Sequence, residues 1–182
     1  VTAFGVCWST APSPTTANSK TMDGSGTGSF TSYLTSLSPG TTYYVRAYAT
    51  SSVGTAYGNQ QTFTTFTFAT LSTTNATNVK AFSAQSGGFN ITSGTAVTAK
   101  GVCWSIYPNP TITDPKTTDG SGTAAFASFI TGLYPLTTFY IRAYVTNSAG
   151  TAYGNQLTIN TPDLALGDPH QGAIVVYILQ PG

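Results

Sequence analysis

The stretch Leu37-Ser38-Pro39-Gly40-Thr41-Thr42-Tyr43-Tyr44-Val45-Arg46-Ala47-Tyr48-Ala49 carries the information that decides the fold of this chain. Its Pro-Gly pair is a turn signal, and the threonine, tyrosine and valine residues after it favour β-strands. The pattern returns 96 residues later, from Leu133 to Val145. The sequence therefore predicts a turn that leads into a long strand, and it predicts this arrangement twice.

The whole chain repeats itself at the same constant offset of 96 residues, without gaps. Three motifs occur in both copies: Gly5-Val6-Cys7-Trp8-Ser9, Asp23-Gly24-Ser25-Gly26-Thr27 and Gly54-Thr55-Ala56-Tyr57-Gly58-Asn59-Gln60. A period near 100 residues, with short strand-like segments separated by turns, is the size of a β-sandwich and exceeds the period of solenoid repeats. We therefore predict an all-β protein of two antiparallel sandwiches in tandem.

The second copy contains seven predicted strands, and the first copy is incomplete. The strands are predicted at 66–74, 81–91, 98–105, 112–118, 123–131, 138–147 and 152–161. The first copy begins at the equivalent of Val97, so the counterparts of the first two strands are missing from it. We predict an incomplete domain at 1–65, a complete domain at 66–161 and a tail at 162–182. Because the sequence begins at Val1, it is expected to be either a processed mature protein or a piece of a longer one.

The composition argues against several classes of partner. Charged residues form 6% of the 182 residues, there is no glutamate, and the net charge is +1. An average soluble protein has roughly 25% charged residues. Such a chain has no basic stripe for nucleic acid, and its longest apolar run, at 172–179, is too short to insert across a membrane. A net charge near zero favours association with other proteins.

The sequence offers little material for catalysis or metal binding. His170 is the only histidine, and the five acidic residues are all aspartates, of which Asp23 and Asp119 lie in repeated Asp-Gly turns. The Asp-Gly-Ser-Gly-Thr loop lacks the further carboxylates of a calcium-binding loop. Cys7 and Cys103 are equivalent positions, so neither copy can form an internal disulfide, and buried free thiols are expected. We predict that the chain is not an enzyme and that it holds no cofactor.

The quoted stretch resembles the Leu-x-Pro-Gly-Thr-x-Tyr-x-Val-Arg-Ala segment of fibronectin type III domains. The resemblance implies that Tyr43 forms the tyrosine corner, in which a hydroxyl bonds back to the backbone. The second copy departs from this pattern, because Phe139 replaces the tyrosine and Leu136 replaces the glycine. The repeated motifs look like tandem fibronectin-like repeats of bacterial surface proteins, and 167–182 is similar to the opening of FISUMP-type domains. An extracellular or cell-surface bacterial protein is implied.

By the fibronectin analogy, one face of the long strand in each copy carries two tyrosines around an arginine. These side chains are Tyr44, Arg46 and Tyr48 in the first copy and Tyr140, Arg142 and Tyr144 in the second. Two interpretations are open. The tyrosines could stack on surface glycans, or they could form an intramolecular cation–π ladder that covers Gly5 and Gly101 on the neighbouring strand.

The tail contains an apolar, β-branched segment that has no place in the seven-stranded second copy. Its residues are Ala173, Ile174, Val175, Val176, Tyr177, Ile178 and Leu179. We predict that this segment is a donor strand that enters the incomplete sandwich of another copy, which would assemble the chain head to tail into an extracellular filament. The alternative is a spacer or carbohydrate-binding module of a larger secreted adhesin or polysaccharide-degrading enzyme.

Overall fold

The computed structural model describes residues 1–164, together with the short strands at 169–170 and 173–174. These residues form strands, turns and loops, and the chain divides into two compact units, Val1–Thr67 and Phe68–Gly182. The sheets are antiparallel, which confirms the predicted all-β fold. None of the described residues belongs to a helix long and apolar enough to cross a membrane.

The first unit consists of a single sheet of five strands. These are β1 (Ala3–Ser9), β2 (Ser19–Lys20), β3 (Thr42–Ser51), β4 (Gly54–Tyr57) and β5 (Gln61–Thr64). The spatial order is β2-β1-β3, and the far side of β3 pairs with β4 at one end and with β5 at the other. Gly5 lies opposite Tyr48, and Cys7 lies opposite Arg46. The Gly5–Ser9 motif and the stretch at 37–49 thus pair with each other at the centre of the sheet.

The second unit is a two-sheet sandwich. Its strands are β6 (Thr70–Thr77), β7 (Ser83–Thr92), β8 (Ala99–Ser105), β9 (Phe126–Thr131), β10 (Thr138–Asn147), β11 (Gly150–Tyr153) and β12 (Leu157–Asn160). One sheet joins β8, β10, β11 and β12, and the other has the order β6-β7-β9. A core of Val102, Trp104, Ile130 and Ile141 fills the space between the two sheets.

Two strand predictions for the second copy are wrong in detail. The strand predicted at 112–118 is reduced to a single bridge between Cys103 and Lys116. In the first copy Ser19 and Lys20 form the two-residue β2. The second copy has Pro115 in place of Ser19, and proline lacks the N–H that a strand pairing needs. The strand predicted at 152–161 is split into β11 and β12, which pair with opposite ends of β10, as β4 and β5 do with β3 in the first unit.

The first unit lacks three sandwich strands, not only the two that the sequence predicts. In the second unit β9 pairs with β7. Residues 29–35 correspond to β9 and the residue before it, and they form no strand in the first unit. All of residues 1–67 are described, and they contain no counterpart of β7. Because residues 1–67 contain no strand equivalent to β7, residues 29–35 have no neighbouring strand with which to form hydrogen bonds.

The tail is described only in part. Residues Pro169–His170 (β13) pair with Ala173–Ile174 (β14) in a short antiparallel hairpin. The remainder of the predicted donor segment, 175–179, lies outside the described residues.

Candidate functional site

The inner face of the first-unit sheet is open where the equivalent face of the second unit is buried. In the second unit Ala143 and Val145 of β10 are fully buried. Their counterparts on β3 are Ala47, which is exposed, and Ala49, which is half-buried. Phe30 is 37% exposed. The first unit therefore exposes a face whose equivalent in the second unit is part of the core.

This face forms an apolar groove of about 430 Å³. Its lining includes Phe4, Phe30, Ala47, Ala49 and Ala56. The rings of Phe4 and Phe30 lie 4.7 Å apart. The counterpart of Phe4 in the second unit is Lys100, whose ammonium group donates to Ala124 O at 2.7 Å. The groove is thus more apolar than the position it corresponds to in the complete sandwich.

The complete sandwich shows what normally covers such a groove. Ala69 and Ile91, from the region of β6 and β7, form a buried cluster with Val145, and Leu71 packs against this cluster. Two adjacent strands of the second sheet therefore lie across β10. No residue in 1–67 occupies the corresponding place over β3, since the first unit has one sheet.

Gly58, which lines the groove, and its neighbour Asn59 appear in the sequence analysis only as members of a repeated motif without an assigned role. They follow β4, where the Gly58 N–H donates to Ala47 O at 2.8 Å. The available signal is the unbroken repetition of Gly-Thr-Ala-Tyr-Gly-Asn-Gln at 54–60 and 150–156. In the second unit the glycine and asparagine of this motif contact Thr73, and the first unit keeps both residues although it has no such threonine.

The opposite face of each sheet is largely closed, which limits the predicted glycan surface. Tyr48 is 4% exposed and Tyr144 is 3% exposed. Their hydroxyls donate to Thr21 O at 2.6 Å and to Thr117 O at 2.7 Å. A Cβ atom on Gly101 would lie 2.8 Å from the Tyr144 ring, so this tyrosine covers the glycine. Burial takes Tyr48 and Tyr144 out of any glycan-stacking surface.

The arginines of this face stack on tyrosines of the neighbouring strand. The Arg46 guanidinium lies 4.7 Å from the Tyr57 ring, and Arg142 lies 4.7 Å from Tyr153. The Tyr57 hydroxyl accepts the Thr16 N–H at 3.0 Å, and hydrogen bonding to Thr16 lowers the pKa of Tyr57. The cation–π partners therefore differ from the tyrosines that the ladder interpretation names.

The remaining members of the predicted set are Tyr44, Arg46, Tyr140 and Arg142, all of which are half-buried. Glycan stacking at Tyr44 and Tyr140 stays a prediction.

Both cysteines are free thiols and fully buried. The Cys103 Sγ donates to Pro110 O and to Arg142 O, each at 3.5 Å. Burial raises the pKa of Cys103 to about 11, while the charge of Arg142 opposes that shift. Burial also raises the pKa of Cys7. Thiolates are the reactive form of cysteine, so both positions are poor nucleophiles at neutral pH.

The loop before β3 forms a tyrosine corner in the first unit. The Tyr43 hydroxyl accepts the Ser38 N–H at 3.0 Å, and Gly40 has φ of 61°. Leu136, which replaces that glycine in the second unit, keeps the left-handed backbone with φ of 51°. Phe139 is 3% exposed and lies 6.3 Å from the ring of Tyr134. Ring packing takes the place of the hydroxyl bond in this unit.

The repeated aspartates hold neighbouring hydroxyls. Asp119 Oδ2 accepts from Thr117 Oγ1 at 2.6 Å and from Ser128 Oγ at 2.5 Å. Asp23 makes the same two bonds to Thr21 and Ser32. Within the described part of the chain, no three histidine, cysteine or acidic side chains form a group that could hold a metal. The side chain of His170 lies outside the described residues.

No protein-family model matches this chain, and no curated protein matches it. The FN1–FN3 domains of chicken CNTN1 align with 88% of this chain at 13% identity and a TM-score of 0.43. This chain covers 56% of that structure, about half of its length. A solved myokine structure aligns with 50% of this chain and 96% of its own length, at 14% identity and a TM-score of 0.37. The antiparallel, two-sheet fold of the second unit rests on the strand order and register described above.

Proposed function

We propose that this protein is an extracellular structural subunit whose first unit is completed by a β-strand supplied from another copy. The fold itself is consistent with a structural or spacer domain. The observation that carries the finer proposal is the open apolar face of β3. In the second unit the equivalent face, on β10, is buried beneath β6 and β7. An exposed apolar face of this kind marks a surface that contacts other chains.

The donor that the sequence predicts is the tail segment 173–179. In an extended strand, Ile174, Val176 and Ile178 would face one side, and Val175, Tyr177 and Leu179 would face the other. Burial on both faces, together with backbone hydrogen bonds, would offset the entropy of ordering the segment. A donor at one end and an acceptor at the other make a head-to-tail contact that grows into an open fibre. A secreted or cell-surface protein of a bacterium fits this arrangement.

Two variants test the assembly by complementation. Val176→Asp places an unpaired charge in the donor, and Ala47→Asp places one on the floor of the acceptor, at a cost of several kcal/mol in each contact. We expect polymers from the wild type and monomers from each variant alone, measured by light scattering and electron microscopy. Mixed one to one, the variants should form a dimer and stop there, because only one intact donor and one intact acceptor remain.

A matched control is Thr158→Asp, which adds the same charge at an exposed position on β12. It should leave polymerisation unchanged. If the wild type stays monomeric at high concentration, or if the mixed variants fail to dimerise, head-to-tail assembly is refuted.

The second candidate is a spacer within a larger secreted adhesin or polysaccharide-degrading enzyme. The repeat itself favours this candidate, because a preceding stretch with the pattern of β6 and β7 would close the groove within one polypeptide. A spacer predicts a monomeric wild type, and the light-scattering measurement above separates the two.

A further inference from the structure

In the second unit, one threonine of β6 bonds the β6-β7-β9 sheet to the sheet that contains β10. Thr73 is 4% exposed. Its N–H donates to Asn155 Oδ1 at 3.0 Å, and its hydroxyl donates to Asn155 O at 2.6 Å. The same hydroxyl oxygen accepts the Ala143 N–H at 3.0 Å. Thr73 therefore satisfies backbone and side-chain groups at the point where β11 ends and β12 has not begun.

The glycine beside Asn155 leaves room for this threonine. A Cβ atom on Gly154 would lie 2.6 Å from Thr73 Oγ1 and 2.8 Å from Thr73 N. Gly154 is not among the residues with positive φ, so its backbone conformation does not require glycine. The close approach of the strand is the reason that a glycine stands here.

The first unit has the same residues in place but lacks the threonine. Gly58 also has no positive φ, and a Cβ atom on it would meet only atoms of Ala47, at 3.5 Å or more. Asn59 is exposed. Neither the backbone nor the packing of residues 1–67 explains the glycine. A strand that approaches as Thr73 does would explain it.

The position is also held ready without an occupant. The Gly58 N–H donates to Ala47 O at 2.8 Å, and Arg46 Nε donates to Gly58 O at 3.0 Å. The equivalent bonds at Gly154 measure 2.9 Å and 3.1 Å. Val6 directs its N–H and C=O toward Thr21, so the facing residue Ala47 directs its own N–H away from β1 and toward the groove edge. Preorganisation lowers the cost of binding.

We infer that the groove of the first unit selects an extended strand that places a threonine against Gly58, with apolar residues two and four positions earlier. This is the pattern of Ala69, Leu71 and Thr73 in the complete sandwich. The threonine would bind Asn59 and the Ala47 N–H as Thr73 binds Asn155 and Ala143. The occupant is thus a β6-type strand with a threonine.

This inference rests on the proposed strand acceptor but does not depend on the tail as its donor. Segment 173–179 contains neither serine nor threonine. In the groove it would leave the Ala47 N–H without an acceptor. A strand of the β6 type should therefore outcompete the tail for the same groove.

The test measures binding of a fluorescent peptide to the full chain by anisotropy. The probe copies residues 66–93, which include β6 and β7. We expect saturable one-to-one binding. The same peptide with Thr73→Val should bind about tenfold more weakly or worse, because an orphaned buried N–H is costly. An unlabelled peptide copying 171–182 should compete poorly.

Chain variants locate the site. Gly58→Ala should weaken binding about tenfold or more while leaving the near-ultraviolet circular dichroism of the chain unchanged, since its added methyl group meets no close neighbour in the empty groove. Val53→Ala, at a residue 97% exposed in the turn between β3 and β4, is the matched control and should bind as the wild type does.

The outcomes separate the inference from the proposed function. Equal affinity of the native and Thr73→Val peptides, or unchanged binding by Gly58→Ala, refutes threonine selection. Binding of the tail peptide alone refutes it too, yet supports the acceptor. If no peptide binds and the chain stays monomeric, both the inference and the proposed assembly are refuted.

Discussion

Replacing Thr73 with valine should weaken the second unit far more than its small chemical change suggests. Valine keeps the branched shape and removes the hydroxyl, so the packing volume hardly changes. The Ala143 N–H, on a fully buried residue, then loses its acceptor, and Asn155 O loses its donor. An unsatisfied buried group costs about 1–3 kcal/mol. Because Asn155 is exposed and water can reach it, we expect a total loss of about 2–4 kcal/mol.

Urea unfolding of the full chain measures this loss as a lower midpoint for the second unit, with an unchanged slope. Amide hydrogen exchange adds a local reading, because the Ala143 N–H should become less protected. The matched control is Thr70→Val on the same strand, whose hydroxyl pairs with that of Thr92 at 2.5 Å on the exposed face. That control should change stability by less than about 0.5 kcal/mol.

If Thr73→Val were no more destabilising than Thr70→Val, the threonine would not be an anchor. The inference that the first-unit groove selects a threonine would then fall, because it is based on the contacts that Thr73 makes in the second unit.

Three further predictions concern single positions. Gly154→Ala should destabilise the second unit by about 1–3 kcal/mol in urea unfolding, because its methyl group meets the Thr73 backbone, whereas Gly58→Ala should leave the first unit unchanged. Tyr43→Phe should cost the first unit about 0.5–1.5 kcal/mol by the same measurement through loss of the bond from Ser38, and a destabilisation as large in Tyr44→Phe would contradict that cause.

Burial raises the pKa of Cys103 from 9.0 to about 11, so folding favours the protonated thiol. Its contribution to stability is complete below pH 9 and is lost as the pH rises toward 11, by up to about 1.4 kcal/mol for each pKa unit. Urea midpoints at pH 8 to 10 should therefore fall more steeply for the wild type than for Cys103→Ala, and parallel slopes would refute the assignment.

Much of the fold follows from local pattern and self-similarity. The offset of 96 residues assigns every strand of the first unit to a position in the second, and the Pro-Gly turn before Tyr43 marks the corner that the structure contains. These features are short-range, since turn geometry and strand alternation depend on neighbours in the chain. The predicted single strand at 152–161 was wrong because β11 and β12 pair with different ends of β10, and such pairing is a long-range outcome.

The outer tyrosines show where alternation stops being informative. Period two places Tyr44 and Tyr48 on the same face of β3, and the sequence cannot tell which of them is covered. Tyr48 is buried because Gly5 on the neighbouring strand has no side chain and Thr21 O accepts the phenol. The partner of Arg46 is likewise a long-range outcome, since Tyr57 reaches it across the sheet.

The sequence by itself determined the all-β class and the two repeats, because composition, turn signals and internal repetition are properties of the chain. Only the tertiary structure decided that residues 1–67 form one sheet with an apolar groove over β3, and that Gly58 lies in its lining beside Asn59. Their meaning comes from a contact made in the other unit by Thr73, which is distant from Gly154 in sequence and adjacent to it in space. Such contacts arise from the packing of one sheet on another, and no local pattern encodes them.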